Sequence, residues 1–164
     1  MATNREKRAF PTLSAGNWWE LRRRFQRSLP SQVSPTYLQT VLGTGEKAAK
    51  NALPQLKTVG LVDNDGRPTP RANDWRTDEG YKVACEEILE DVYPAELREA
   101  VPPSHPERDA AQRWFMRQGV GATSARMMAA FYALLAEADP SAADQVRREP
   151  TVRPVPARRP GRTD

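Results

Sequence analysis

Residues 41–50 read VLGTGEKAAK, and Gly43, Gly45 and Lys47 in that run are the residue types of a phosphate-cradling loop. In such a loop, glycine N–H groups wrap the phosphates, a lysine reaches them, and a hydroxyl holds Mg²⁺. The spacing rules this chemistry out. The loop requires G-x-x-x-x-G-K-[ST] after a strand, whereas here Thr44 alone separates the glycines, Glu46 precedes Lys47, and Ala48 stands where the hydroxyl belongs. The acid would repel the ligand, and the preceding residues carry a helical pattern opened by Ser34-Pro35. Catalytic arrangements elsewhere fare no better. The single histidine, His105, lies in the proline-rich run VPPSHPER without a nearby Ser or Cys. Cys85 falls on the apolar stripe of a helix, where cysteine acts as a small hydrophobe. Glu86, Glu87, Glu90 and Asp91 fall on the outer side of the same helix. An acid–base pair instead needs two carboxyls converging in a cleft with separated pKa values. One cysteine and one histidine exclude a Cys/His metal cluster. We therefore expect no catalytic residue, no cofactor and no metal, and a protein that is not an enzyme.

A second chemistry fits the same stretch. A short helix from Ser34-Pro35 to Gly43, a tight turn, a helix over 46–59 and then a small hairpin form the order of a winged helix-turn-helix, with 46–59 in the recognition position. That helix carries Lys47 and Lys50, which suit phosphates, and Asn51 and Gln55, which suit adenine edges. Arg22, Arg23, Arg24 and Arg27 crowd one earlier helix, and Arg67 and Arg71 flank the hairpin. These ten residues are the candidate DNA contacts. Glu46 at the start of the recognition helix, with Asp63 and Asp65 in the wing, oppose them.

The elements that must position these side chains follow from periodicity. Asn17 and Glu20 have cap and N3 spacing ahead of Trp18, Leu21 and Phe25. Pro54 inside the recognition helix predicts a kink or two abutting segments. Leu61-Val62, the turn Asn64-Asp65-Gly66 and Arg67-Pro68-Thr69 predict the hairpin. Tyr81, Ala84, Cys85, Ile88, Leu89 and Val92 form the stripe of an amphipathic helix opened by Asp78-Glu79, and Ala95 to Ala100 add a turn or two. Helices over Asp109–Gln118 and Thr123–Ala136, separated by Gly119-Val120-Gly121, predict a closing helical hairpin. The expected fold class is mainly α: a winged helix-turn-helix with a small β-hairpin wing, an amphipathic helix and a C-terminal helical hairpin. The expected organisation is a disordered stretch 1–9, a winged-helix-like unit 10–100, a Pro-rich linker 101–108, a hairpin 109–140 packed on the first unit, and a disordered Arg/Pro-rich tail 141–164.

Charge is divided along the chain. Residues 1–76 hold thirteen Lys/Arg against six Asp/Glu, residues 77–108 hold three against nine, and residues 147–164 hold six against two. That asymmetry suits an anionic partner for one face. A hydrophobic fraction of 38% over 164 residues suits one packed unit with length to spare outside it. The lone cysteine suits a reducing compartment, no apolar run is long enough to span a membrane, and the N-terminus lacks a secretion signal's apolar centre, so a cytoplasmic protein is expected. Twenty arginines against five lysines suit a GC-rich bacterial coding genome.

The runs FPTLSAGNWWELRRRF, SLPSQVSPTYLQTVLGTGEKAAKNALPQLKTVGLVDNDGRPTPRANDWR and CEEILEDVYPAEL, followed by GVGATSARMMAAFYALL, resemble the DUF5343 family, a group of prokaryotic and viral proteins of unknown function. The resemblance covers roughly residues 10–136, and LGLVDNDGRPT is its most distinctive part. It implies a winged-helix-like fold and supplies no mechanism. Two function classes stay open. One is a DNA-binding module. The other is a protein-interaction or adaptor module in which the acidic 78–99 helix, or exposed Trp18, Trp19 and Trp75, contacts a partner encoded nearby.

Overall fold

A computed structural model describes residues 10–142; the expected disorder at 1–9 and over 143–164 lies outside the described residues. Eight helices make up the described chain: α1 (Ala15–Arg27), α2 (Pro35–Leu42), α3 (Glu46–Thr58), α4 (Pro70–Trp75), α5 (Asp78–Val92), α6 (Ala95–Ala100), α7 (Arg108–Arg117) and α8 (Ala122–Glu137). The protein is mainly helical, as the periodicity requires.

Helix starts are written in Ser and Thr. Ser14, Ser34, Thr69 and Thr77 cap α1, α2, α4 and α5, each side-chain oxygen accepting a backbone N–H from the first turn. The cap of α1 is Ser14 rather than Asn17, so the helix begins one turn earlier than its sequence signature suggested. Gly43 closes α2 at φ 68°, a left-handed conformation that any Cβ would strain. Helix α3 runs unbroken through Pro54, which has no N–H to offer Lys50 and faces outward.

The expected β-hairpin wing does not form: among the described residues there are no strands, and residues 61–69 make a single antiparallel bridge between Val62 and Pro68. The reason is local. Two ladder bonds form, from the Asp63 N–H to the Arg67 carbonyl at 2.9 Å and from the Thr69 N–H to the Leu61 carbonyl at 3.1 Å, but their return bonds do not: the Arg67 N–H donates to the Asp63 carboxylate at 2.9 Å and the Leu61 N–H to the Leu56 carbonyl at 3.1 Å. The loop is also held from outside, where Val33 donates to the Gly66 carbonyl at 2.7 Å. Gly66 sits at φ 85°, and a Cβ there would meet the Val33 oxygen at 2.6 Å.

Packing joins all the helices in one core running from Phe10 to Leu135. Its centre is aromatic: Trp18 meets Trp75 edge-on at 5.0 Å and Phe131 at 5.1 Å, and Phe25 meets Trp75 at 5.5 Å. A second aromatic group closes the other end, with Phe10 stacked on Tyr93 at 5.6 Å and against Phe115 at 5.2 Å. The hairpin α7–α8 packs on α5 and α6. Within the Pro-rich segment 101–108, Val101 is buried and its carbonyl accepts the Tyr132 hydroxyl at 2.6 Å. Trp18, Trp19 and Trp75, expected as exposed partner anchors, are all buried at 5% exposure or less. Among the described residues no helix is long and apolar enough to cross a membrane.

Candidate nucleic-acid interface

Helices α2 and α3, joined by Gly43-Thr44-Gly45, present the arrangement on which the ten candidate contacts depend. Helix α3 buries Ala49, Ala52 and Leu56 and exposes Glu46, Lys47, Ala48, Lys50, Asn51 and Pro54. At about 100° per residue, Lys47, Ala48, Pro54 and Gln55 all lie within about 60° of Asn51, so the outer face is centred on that asparagine. Glu46 falls on the flank, where its carboxylate meets Lys50 Nζ at 3.0 Å. An exposed i,i+4 pair of this kind is worth about 0.5 kcal/mol and opens readily when a phosphate competes for the lysine.

The structure assigns the remaining candidates very different duties. Arg22 is 3% exposed: its Nε donates to the Trp75 carbonyl at 2.7 Å, one terminal nitrogen donates to Asp78 at 2.9 Å, and the guanidinium lies 4.7 Å from the Tyr81 ring centre. It is an internal strut and reaches no surface ligand. Arg71 is equally committed. It donates to the Val59 carbonyl at 2.8 Å beyond α3, to Glu87 at 3.2 Å and to Asp91, fastening the end of α3 to α5. Gln55 is half-buried, and its Oε1 accepts the Thr12 N–H at 2.7 Å. That bond holds the N-terminal segment and occupies the carbonyl that an adenine would need. Arg23 and Arg24 share Glu20. Arg27, Lys47, Asn51 and Arg67 are exposed at the surface.

Of the two acids in the turn, both exposed, Asp63 is held by hydrogen bonds from the backbone around it. Asp63 is held below the usual carboxylate range, first by the Arg67 N–H, and it also accepts the Asp65 N–H at 2.9 Å. Beyond the ten candidates, Ala48 and Pro54 on α3, Arg108, Arg113 and Arg117 on α7, and Arg126 on α8 also face solvent. Alternation of exposed and buried positions on α3 marks the first two in the sequence. The arginines are scattered among acids in the sequence, Arg108 closing the acidic stretch 77–108, and so form no basic run there.

No acid–base constellation emerges from the carboxylates of α5, since Glu87 and Asp91 are tied to Arg71 while Glu86 and Glu90 face solvent. A cavity of about 360 Å³ opens between α1, the start of α5 and the turn after α8. Its charges are spent on one another, Arg22 on Asp78 and Arg23 on Glu20, and Asp139 accepts from Ser141. Among the described residues no group of His, Cys, Asp and Glu is placed to hold a metal ion.

Cys85 is fully buried, and burial pushes its thiol up to about 12. The reactive form is the thiolate. The folded protein is therefore expected to resist a thiol reagent at pH 8 and to react stoichiometrically once unfolded in guanidinium. Rapid labelling of the native state would show that the α5 stripe opens.

Comparison with known proteins finds no matching curated protein and no matching solved structure. Residues 20–145 match DUF5343, a family of unknown function. That match begins inside α1 and extends past the end of α8, taking in the α2–turn–α3 unit, the Gly66 loop and both hairpin helices. The chain belongs to the DUF5343 family.

Proposed function

We propose that this protein binds duplex DNA without catalysing a reaction, as a winged-helix-like module whose wing is reduced to the bridged loop 61–69. The observation that carries the proposal is the outer face of α3, which leaves Lys47 and Asn51 exposed and unpaired while the opposite face is locked into the core. Helix α3 begins after Gly45 without a side-chain cap, and the one acid of its first turn, Glu46, is paired with Lys50 at 3.0 Å, which leaves its first N–H groups available to a phosphate oxygen. Arg27 at the end of α1 and Arg67 in the loop 61–69 are exposed cations, and the basic excess of residues 1–76 supplies the long-range attraction.

Salt dependence tests the proposal. A protein that neutralises phosphates loses affinity linearly on a logarithmic salt scale, with a slope of about 0.9 per phosphate contact. In the full chain, Lys47→Ala with Lys50→Ala is expected to lower that slope by about 1.8 and to weaken binding to any duplex alike. Six arginines over 147–164 attract DNA on their own. Making the comparison with the tail present in both proteins removes that contribution. A slope unchanged by the double substitution, or no duplex binding at low salt, defeats the assignment.

The second reading, a protein-interaction module, has lost its tryptophan anchors but keeps Val83, Met116 and Met127, each more than 40% exposed. Selective retention of a single protein by a chain indifferent to DNA would favour it.

A further inference from the structure

We infer that Asn51 is the base-reading residue of α3 and that the base pair it reads is A·T. This inference rests on the DNA reading above and adds to it the chemistry of the contact.

Two amide side chains on α3 have the type that pairs bidentately with adenine N6 and N7, Asn51 and Gln55. Such a contact needs both the carbonyl oxygen and the NH₂ of one amide. The Gln55 oxygen is already taken by the Thr12 N–H at 2.7 Å, from a segment whose neighbours Phe10, Pro11 and Leu13 are buried. Freeing it means detaching that segment from the core. Asn51 carries no such commitment: it is exposed at the centre of the outer face, and the 3.4 Å contact from Gln55 reaches its backbone carbonyl only.

The neighbours of Asn51 favour the same base pair. Ala48 and Pro54 flank it one turn to either side, both exposed. Neither is long enough to hold the helix away from a groove floor, and both are apolar. An apolar group beside an adenine-reading amide meets the 5-methyl of the paired thymine. Lys47 lies on the same face towards the α3 N-terminus, and Lys50 stands on the flank with Glu46. Base contact is thereby confined to the middle of the helix and phosphate contact to its start and flank, a division that suits one strand-spanning base pair with charge alongside.

The experiment uses the full chain and a pool of duplexes randomised at the centre, selected for binding at low salt and sequenced. Wild type is expected to enrich a position for A·T about tenfold or more, the scale of one bidentate amide contact. Asn51→Ala, a substitution at an exposed helical site that raises helix propensity, is expected to fold with an unchanged helical spectrum and to lose the enrichment while keeping its salt slope. Replacing the enriched thymine with deoxyuridine, which removes only the methyl group, is expected to weaken wild-type binding about fourfold. Enrichment that survives Asn51→Ala, a preference for G·C, or binding with no preference at all overturns the inference and leaves DNA binding standing. Failure of the wild type to bind any duplex overturns the DNA reading itself and this inference with it.

Discussion

Replacing Trp75 with alanine is expected to lower the free energy of unfolding by about 4 kcal/mol, within the range for large-to-small changes at aromatic core sites. Trp75 ends α4, is fully buried and stands edge-on to both Trp18 and Phe25 of α1. Its ring therefore joins the short α4 segment to two of the three aromatic side chains of the first helix. Truncation removes the ring from both contacts, and α4, at six residues, is too short to hold itself in place. A domain of this size has a total stability of about 5–15 kcal/mol, so the variant should be close to unfolding at physiological temperature. Trp75→Phe provides the control. The Trp75 Nε1 has no hydrogen-bond partner, so phenylalanine forfeits no bond and should cost less than about 2 kcal/mol. Urea titration of both variants reads the difference as a shift in midpoint at constant slope. A Trp75→Ala protein within about 1 kcal/mol of wild type would mean that the aromatic centre collapses around the gap, against the close packing described.

Arg22→Ala is the second large effect, expected at about 3 kcal/mol. The charged donor to the Trp75 carbonyl contributes about 1.5–3 kcal/mol, because its loss leaves a buried oxygen unsatisfied. Contact with the Tyr81 face adds about 1 kcal/mol. The Asp78 partner adds little, since its side chain is 74% exposed and water screens the pair. Arg22→Met retains the buried stem and loses only the polar terms, so it should fall between alanine and wild type. The same variant separates structure from binding. With Arg22 inside the core, Arg22→Met should leave the salt slope for duplex DNA unchanged at a temperature where it is folded. A reduced slope would return Arg22 to the phosphate-binding face.

That residue also shows how far the sequence could be read. Trp18, Arg22 and Phe25 recur at steps of four and three, so the position of Arg22 on the buried stripe was written in the spacing. The run Arg22-Arg23-Arg24 invites a solvated reading because residue type speaks louder than register. The same signal at Thr69-Pro70, a cap followed by proline, announces α4 as clearly as Ser34-Pro35 announces α2. The missing wing had part of its cause in view as well, since Asp63 is the residue type that captures a nearby backbone N–H with its own side chain, here that of Arg67.

What the sequence alone determined is the helical class, the α2–turn–α3 unit, the amphipathic α5 and the closing hairpin, along with the exclusion of a phosphate loop at Gly43 and Gly45. Those features are local: they follow from caps, glycines and periodic burial within a dozen or so neighbouring residues. Which polar side chains remain free to bind is set by long-range packing. Gln55 is spent on Thr12, forty-three residues away, and Arg22 on Trp75, fifty-three residues away. A hydrogen bond to a distant backbone leaves no periodic trace in a chain, because its partner is chosen by packing and not by spacing.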